Sequence, residues 1–299
     1  IGWKIEGKVT NSISENEIVI TSENGQARQL LLDGKKASIM KLGQILRIVW
    51  LVPSMDKIWT EGSSGRRQFL DRLTLSYFPK HAEVSLLYEK AMKERNRLLK
   101  ERIYNDQWYN ALEIEMAKSA VSIQKSRMQA IQYLTEAQNQ LTGNFPKAEL
   151  LLIDPEQDII TDEDEAVLAL KCSRQNDMII GRTSVGPHKS DLQAIYLNKS
   201  MPAKDSSTGE QKALLISIIL SNAKSLAKIG NVSPIVLLDE VSAHLDNERR
   251  AALYDEICQL GVQAWMTGTE LELFSELKDK AQFIEVTAAD GISTLSVSS

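Results

Sequence analysis

Apolar and polar residues alternate over the first part of the chain, which is typical of strands that bury one face. The apolar positions are Trp3, Ile5, Val9 and the runs at 18–20 and 30–32, and each run follows a polar turn. We therefore predict an antiparallel meander over residues 1 to about 35. A short helix is predicted next, from a cap at Ser38 to an end at Gly43. A strand at 46–52 follows and ends at Pro53, which has no N–H group to pair in a sheet.

Between residues 84 and 141 the apolar spacing changes to that of helices with one buried face. A break at Asn105-Asp106 divides this stretch, so we predict two antiparallel helices that form a helical hairpin or a short coiled-coil arm. The first helix is rich in basic residues, namely Lys90, Lys93, Arg95, Arg97, Lys100 and Arg102. This run is either a solvated helix face or a contact with the backbone of duplex DNA, which requires only positive charge on one side. The candidate DNA contacts are Lys90, Lys93, Arg97 and Lys100.

A short apolar run that ends in two carboxylates is the most informative stretch of the chain. Residues 235–238 are all apolar, follow Pro234 and lead directly into Asp239 and Glu240. Such a run is typical of a buried parallel strand, and open α/β sheets bind ligands at the carboxyl ends of their strands. Two acids there suit Mg²⁺-assisted phosphoryl transfer, with Asp239 on the metal and Glu240 polarising the attacking water. The alternative is that both acids only cap the next helix.

A second stretch, 206–212, combines two serines, a threonine and a glycine at the start of a long apolar helix. Free N–H groups and the helix dipole make such a helix start an anion site. Ser207 or Thr208 is predicted to cap the helix, with Glu210 or Gln211 near the capping-box position. Taken by itself, this stretch is also compatible with an ordinary capping box.

Arg66 and Arg67 stand at the start of a further predicted helix, after the glycine-rich stretch 62–65. Two arginines at this position either contact phosphate or cap the helix and pair with local acids. Gly181 and Gly186 have the spacing of a phosphate loop, but Pro187 stands where that loop needs lysine and offers no N–H group.

The net charge, the cysteine content and the lengths of the apolar runs restrict the possible classes of function. The net charge of −5 argues against a generally cationic nucleic-acid binder, so DNA contacts must come from local patches. Cys172 and Cys258 show no metal-ligand or redox spacing, and two isolated thiols indicate a reducing, cytoplasmic setting. No apolar run approaches the roughly 18 residues that a membrane span needs, and the N-terminus lacks a signal-peptide pattern, so no membrane partner is expected.

Five motifs occur in order and together resemble a known family. The motifs are Arg66–Arg72, Gly186–Leu192, Ser207–Leu215, Leu237–Asp246 and Trp265–Thr269. Residues 206–212 and 235–240 resemble the signature motif and Walker B strand of the ABC-type ATPases, in the version found in SMC-like DNA-repair proteins. The full set resembles the RecF family of bacterial recombination mediators. Because the set spans positions 66 to 269, chance is a poor explanation.

The resemblance implies an α/β fold, namely an ABC-type ATPase head with an antiparallel β-meander and an inserted helical lobe or short coiled-coil arm. The implied division is 1–72 and 201–299 for the ATPase lobe and 73–200 for the helical lobe. In the family a phosphate loop precedes the position where this chain starts, so we expect that an N-terminal segment of the head is missing. The loop Pro53–Asp56 departs from the Pro-Glu-Asp pattern expected in the family.

The resemblance also assigns site residues. Two subunits of such proteins sandwich two ATP molecules, and the signature of one subunit faces the phosphate loop of the other. Glu240 is the implied catalytic residue and Asp239 the implied Mg²⁺ ligand. The implied ATP-binding residues, acting in trans, are Ser207, Thr208, Gly209, Glu210, Gln211, Asp246 and Thr269. Among these, Asp246 is expected to link the two sites and Thr269 to sense the γ-phosphate.

The implied function is ATP-dependent binding of double-stranded and gapped DNA by a homodimer, as part of recombinational repair, replication restart and the SOS response. The implied partners are RecR and RecO, and the implied outcome is the loading of RecA. The full-length family member is expected to be a weak DNA-dependent ATPase. Two alternatives stay open: a non-catalytic DNA-binding fragment, and a transporter-type ATPase subunit, which would lack the helical arm.

Overall fold

A computed structural model describes residues 2–10, 14–23, 25–142, 145–156, 158–229, 233–242, 245–277, 279–289 and 292–298. The helices in these ranges are α1 (Ile39–Ile45), α2 (Ser63–Tyr77), α3 (His81–Lys100), α4 (Asp106–Gln138), α5 (Glu163–Ile180), α6 (Thr208–Ile229) and α7 (Asn247–Leu260). The strands are β1 (Trp3–Thr10), β2 (Glu15–Ser22), β3 (Gln29–Leu32), β4 (Lys35–Ala37), β5 (Ile48–Leu51), β6 (Ala148–Ile153), β7 (Asp191–Tyr196), β8 (Met201–Pro202), β9 (Ile235–Leu238), β10 (Ala264–Met266), β11 (Phe283–Ala289) and β12 (Ile292–Ser298).

The N-terminal strands form the predicted antiparallel meander. β1 to β4 pair in chain order, and the sheet extends the predicted meander to Ala37. The meander has a small core of its own around Ile18, Leu30 and Leu32. Ser38 caps α1 as predicted, since its hydroxyl accepts from the Lys41 N–H at 3.3 Å. The predicted end at Gly43 was wrong, because α1 continues to Ile45.

A parallel sheet lies at the centre of the largest core. β9 is its middle strand and pairs in parallel with β5 on one side and β10 on the other. Val236 and Leu238 are buried, as the apolar run predicted. α6 packs in the same core and buries every residue from Gln211 to Ala223, including Leu214 and Ile218. In the described part of the chain, no helix is both long enough and apolar enough to cross a membrane.

The helical hairpin is present where the sequence predicted it. α3 and α4 run antiparallel, and Asn105 caps α4 by accepting from the Trp108 N–H at 3.1 Å. α5 packs on α4, so three helices share a second apolar core that includes Met116 and Leu170. Asp162 caps α5, and the three acids in its first turn interact favourably with the positive end of the helix dipole.

Two antiparallel sheets complete the chain. β6, β7 and β8 form one of them, and Leu150 and Leu192 join the core of the parallel sheet. This core therefore contains residues on both sides of the predicted boundary at residue 200, and the division into lobes stays a prediction. β11 and β12 form a hairpin, with Val286 opposite Leu295.

Candidate functional site

The acid pair lies at the carboxyl edge of the parallel sheet. The Asp239 N–H donates to the carbonyl oxygen of Leu51 at 2.9 Å, and the Thr267 N–H donates to that of Leu238 at 3.0 Å. These bonds extend the pairing of β9 with its two neighbours by one residue. The carboxyl ends of three parallel strands therefore meet at Asp239, which is where open α/β sheets place their ligands.

Thr267 contacts both residues of the pair. Its hydroxyl donates to Oδ1 of Asp239 at 2.6 Å and accepts from the Glu240 N–H at 3.1 Å. In the sequence analysis, Thr267 is only one residue of a family motif, and no role is predicted for it. Thr269, the predicted γ-phosphate sensor, is exposed two residues further on. A hydroxyl residue directly after a short strand next to the acid strand was the signal that could have identified Thr267.

The backbone of Glu240 is strained, since its φ is +51°, in the left-handed region that non-glycine residues rarely adopt. Such residues persist where the surrounding structure imposes the conformation, and they concentrate at functional sites. The carbonyl of Leu51 and the hydroxyl of Thr267 hold the backbone immediately before and at Glu240. The side chain of Glu240 is exposed, whereas Asp239 is half-buried.

The donor set at Asp239 suits Mg²⁺. The ion prefers oxygen ligands and is usually held by one or two carboxylates together with substrate phosphates and water. Oδ1 of Asp239 accepts from Thr267, which leaves Oδ2 available to a metal. Within the described residues, no group of three or more His, Cys, Asp or Glu side chains is placed to hold a metal.

The start of α6 is a complete capping box. Ser207 is the N-cap, because its hydroxyl accepts from the Glu210 N–H at 3.4 Å, while Oε2 of Glu210 accepts from the Ser207 N–H at 3.1 Å. Oε1 of Glu210 pairs with Lys199 at 2.5 Å. The bond from Lys199, followed by those from Ser207, lowers the pKa of Glu210 to about 2. Glu210 is therefore ionised and fixed against its own helix start.

The next two signature residues face outward. Thr208 is exposed and Gly209 is half-buried in the first turn of α6. A Cβ atom added at Gly209 would meet no atom within 4 Å, and the backbone there has no positive φ. Neither packing nor conformation within the chain therefore requires glycine at this position, although glycine weakens a helix.

Gln211 is buried and bonded to its own loop. Its side-chain amide donates to the carbonyl oxygens of Ser206 at 2.9 Å and Lys204 at 3.2 Å. The backbone carbonyl oxygen of Gln211 accepts a hydrogen bond from the indole N–H of Trp59 at 3.3 Å. These bonds shape the turn before α6, so within the chain Gln211 supports the turn from behind. The predicted contact of Gln211 with ATP stays a prediction.

The loop Pro53–Asp56, which departs from the family pattern, supports the same turn. Asp56 accepts from the ammonium group of the buried Lys212 at 3.1 Å. The loop directly follows β5, the neighbour of the acid strand. The ion pair and the Trp59 bond therefore connect the carboxyl edge of the parallel sheet to the first turn of α6.

Asp246 caps α7. Its carboxylate accepts from the Arg249 N–H at 2.9 Å, and the side chain is exposed. This agrees with the alternative in which acids after the strand cap the next helix, although for Asp246 and not for Asp239 or Glu240. The expected link of Asp246 across a dimer is untested, and Ala243 and His244 lie outside the described residues.

Arg66 and Arg67 pair internally, which favours the pairing interpretation over DNA contact. Arg66 makes a bidentate ion pair with Asp191 at 2.8 and 2.9 Å. Arg67 donates to the hydroxyl of Ser63 at 2.8 Å and to the carbonyl oxygen of Ser190 at 2.9 Å. The two guanidinium groups join α2 to the segment before β7. We therefore drop both residues as candidate DNA contacts.

The motif Gly186–Leu192 is a junction between helices. Arg127 of α4 donates to the carbonyl oxygen of Pro187 at 2.8 Å and pairs with Asp71 of α2 at 2.7 and 2.8 Å. His81, at the start of α3, lies 2.9 Å from the same carboxylate. A network of charged and backbone groups thus holds this motif against α2, α3 and α4.

Gly186 is required by a close approach. Its φ is +130°, and a Cβ atom there would lie 2.2 Å from the hydroxyl of Tyr88. That hydroxyl forms a 2.7 Å hydrogen bond with Nδ1 of His188. The glycine of the motif therefore lets α3 contact the junction.

The basic run of α3 divides into two parts. The four candidate DNA contacts, Lys90, Lys93, Arg97 and Lys100, are exposed, and their spacing places them on one face. Arg97 also pairs with Glu94 at 3.1 Å and Glu101 at 3.5 Å. Arg95 is instead fully buried, with ion pairs to Glu113 at 3.1 Å and Asp177 at 2.6 Å.

The chain was compared with known proteins. No protein-family model matches it. A protein of Mesorhizobium japonicum named DNA replication and repair protein RecF is 42% identical over 297 residues, which cover 95% of this chain and 78% of the relative. The protein of the same name from Brucella suis biovar 1 is 44% identical over 270 residues, which cover 87% and 70%. The chain belongs to the RecF family.

Solved structures confirm the fold of this RecF chain. The recombination mediator RecF with ATP, from the RecFOR pathway, matches 98% of the chain and 81% of its own, with a TM-score of 0.80 and 22% identity. An Smc head bound to the C-winged helix domain of ScpA matches 96% and 69%, with a TM-score of 0.50 and 13% identity. The predicted ABC-type head with meander and helical lobe is therefore confirmed as the fold class.

Proposed function

We propose that this RecF chain acts in an ATP-dependent, DNA-binding recombination mediator of the RecFOR pathway, in which ATP binding by two subunits closes a clamp on double-stranded or gapped DNA. The observation that carries the proposal is the arrangement at the carboxyl edge of the parallel sheet. There, one threonine hydroxyl holds the acid pair, and a loop ties the same edge to the capped start of α6. The helical hairpin argues against a transporter-type subunit.

Each residue of the edge has a proposed role. Asp239 offers Oδ2 to Mg²⁺, which when bound would neutralise charge on the transferred phosphoryl group. Glu240 is exposed and acts as the base that polarises the attacking water. Thr267 fixes both, because its hydroxyl contacts the carboxylate of one and the backbone of the other.

The signature residues are proposed to meet a phosphate of the other subunit. Ser207, Thr208 and Gly209 lie at the N-terminal end of a 22-residue helix. Because the Ser207 N–H already donates to Glu210, the N–H groups of Thr208 and Gly209 are the ones proposed to meet the phosphate. Gly209 supports this role, because nothing among the described residues explains a glycine there, whereas close approach by a group from outside does. Asp246 and Thr269 remain candidates for contacts across the dimer.

The exposed face of α3 is the proposed DNA contact. Lys90, Lys93 and Lys100 have no acidic partner among the described residues, whereas Arg97 is shared with two glutamates. Phosphate contact depends on positive charge and not on base sequence, so this face suits binding of the duplex backbone. RecR and RecO are the proposed protein partners, and RecA loading is the proposed outcome.

The test uses this chain alone and the same chain extended at its N-terminus by the residues that precede the matched region in the Mesorhizobium japonicum relative. We expect Mg²⁺-ATP to bind the extended chain and to dimerise it, as followed by calorimetry and analytical ultracentrifugation. Glu240→Gln in the extended chain should bind ATP normally and hydrolyse it about 100-fold more slowly, because a general base contributes about 10²–10⁴-fold.

Two results would contradict the proposal. Equally tight binding of ATP by this chain alone would place the phosphate-contacting groups elsewhere in it. Unchanged hydrolysis by the Glu240→Gln variant would remove the assignment of the base. DNA binding by the extended chain that ignores ATP would instead favour a non-catalytic DNA-binding protein.

A further inference from the structure

The end of the helical lobe exposes aromatic and basic side chains together. It consists of residues 100–108, which are the end of α3, the turn and the start of α4, together with residues 178–182 at the end of α5. The two parts are in contact, because Met178 packs in the same apolar cluster as Ile103. A Cβ atom at Gly181 would lie 3.5 Å from the Lys100 side chain. We call this surface the lobe tip.

Three large apolar side chains at the lobe tip face solvent. Tyr104 is 82% exposed, Trp108 is 53% exposed and Ile179 is 82% exposed. Trp108 lies in the first turn of α4. Its backbone is fixed, because its N–H donates to the capping side chain of Asn105. Exposed aromatic rings on a rigid support are typical of binding surfaces, since burying them stabilises a complex at little cost in conformational entropy.

The charges at the lobe tip are unbalanced. Lys100, Arg102 and Arg182 are exposed and have no ion-pair partner within the described ranges. The acids nearby are already paired, since Arg97 engages Glu94 and Glu101 and Arg174 engages Asp106 at 3.0 Å. The lobe tip thus presents three basic side chains without an ion-pair partner among the described residues, on a chain of net charge −5.

We propose that the lobe tip binds single-stranded nucleic acid, with bases stacked on Tyr104 and Trp108 and phosphates held by Lys100, Arg102 and Arg182. Unpaired bases offer flat apolar faces next to a chain of negative charge, which complements this surface in both respects. Duplex DNA offers the charge but keeps its base faces stacked internally. The proposal goes beyond the function proposed above, because it needs neither ATP nor the acid pair, and it shares only Lys100 with the duplex-binding face.

The experiment measures binding of a fluorescent oligothymidylate of about 12 nucleotides to the whole chain by anisotropy, in parallel with a duplex of the same length. We expect Tyr104→Ala with Trp108→Ala to weaken oligothymidylate binding by about tenfold or more, since each stacked base contributes measurably, and to leave duplex binding unchanged. Arg102→Ala with Arg182→Ala should lower the salt slope for oligothymidylate by about 1.4, at about 0.7 per phosphate contact.

The matched control is Trp3→Ala, which removes another exposed tryptophan far along the chain in β1 and should not change binding. An unchanged affinity of the aromatic double variant for oligothymidylate would overturn the proposal. So would an equal loss for the duplex, which would indicate general charge attraction. Competition by polyglutamate as effective as that by unlabelled oligothymidylate would point to an acidic protein partner instead. Because no ATP is added, a negative result in this experiment does not bear on the ATP-dependent function proposed above.

Discussion

The hydroxyl of Thr267 forms hydrogen bonds that position both acids at the edge of the parallel sheet. It donates to Asp239 and accepts from the backbone of Glu240, whose left-handed conformation is unfavourable for a residue with a side chain. Removing the hydroxyl therefore affects the direction of one carboxylate and the backbone that carries the other.

Thr267→Val should keep the shape of the side chain and remove both hydrogen bonds. In the extended chain we expect ATP hydrolysis to fall by about tenfold, which corresponds to the loss of about 1.4 kcal/mol, close to the value of one hydrogen bond. Thr267→Ser keeps the hydroxyl and should retain most of the activity. Steady-state hydrolysis by the two variants checks this, and equal activity of both would show that the hydroxyl does not position the acids.

At the scale of elements, buried charges hold the helices of the lobe together. Arg95 of α3 is fully buried and pairs with Glu113 of α4 and Asp177 of α5. Its guanidinium also donates to the carbonyl oxygen of Leu170 at 2.9 Å. One side chain thereby connects three helices. Asp177 has no other ion-pair partner among the described residues, whereas Glu113 also pairs with Arg174 at 2.6 Å.

Arg95→Ala should destabilise the chain by about 3–5 kcal/mol, because it leaves two buried carboxylates with less compensation and opens a cavity. Urea denaturation followed by circular dichroism measures the loss. Arg97→Ala, two residues along the same helix and exposed, is the matched control and should cost no more than about 1 kcal/mol. Similar losses for both variants would contradict the assigned role of Arg95.

The junction of α2, α3 and α4 predicts a pH dependence. Burial of Asp71 would raise its pKa, but hydrogen bonds from His81 and Arg127 outweigh burial and lower the pKa to about 2. A carboxyl group whose pKa is lower in the folded chain stabilises it above the unfolded pKa of 3.8 and loses this effect as the pH falls towards 2.

Asp71→Asn should therefore cost about 1–2 kcal/mol at pH 7, a value reduced for screening because a third of the side chain is exposed. The difference from the unsubstituted chain should shrink below pH 4. Urea denaturation at pH 7, 4 and 3 measures it, with the exposed Asp279→Asn as control. A difference that is constant with pH would show that the charge of Asp71 does not stabilise the junction.

For the whole molecule, the distribution of charge matters more than its sum. A chain of net charge −5 repels a polyanion at long range, yet the exposed face of α3 concentrates lysines without acidic partners. Affinity for duplex DNA should then depend on that face and decrease steeply with salt.

Lys90→Ala with Lys93→Ala should weaken duplex binding and lower the slope of log K against log salt by about 1.8, since each phosphate contact contributes about 0.9. Anisotropy titrations with a fluorescent duplex between 50 and 200 mM salt measure the slope. Lys35→Ala with Lys36→Ala, on the exposed strand β4, is the control of equal charge. If the slope decreased equally in both double variants, the effect would come from net charge and not from the face of α3.

Features that depend on near neighbours in the chain were predictable. The strand before Asp239, the capping box of Ser207 and Glu210, the Asn105 break and the Asp162 cap are each decided within a few residues, because hydrogen bonding and apolar period are local. The family resemblance rested on motifs of the same kind, and it was confirmed.

Tertiary structure decided which polar groups meet. Thr267 reaches Asp239 from 28 residues away, and Arg66 reaches Asp191 from 125 residues away. Arg95 and Arg97 belong to the same basic run, yet one is buried between two acids and the other is exposed. An ionic side chain has the same local signature whether it is paired or solvated, because its environment is set by packing between elements that are distant in the chain.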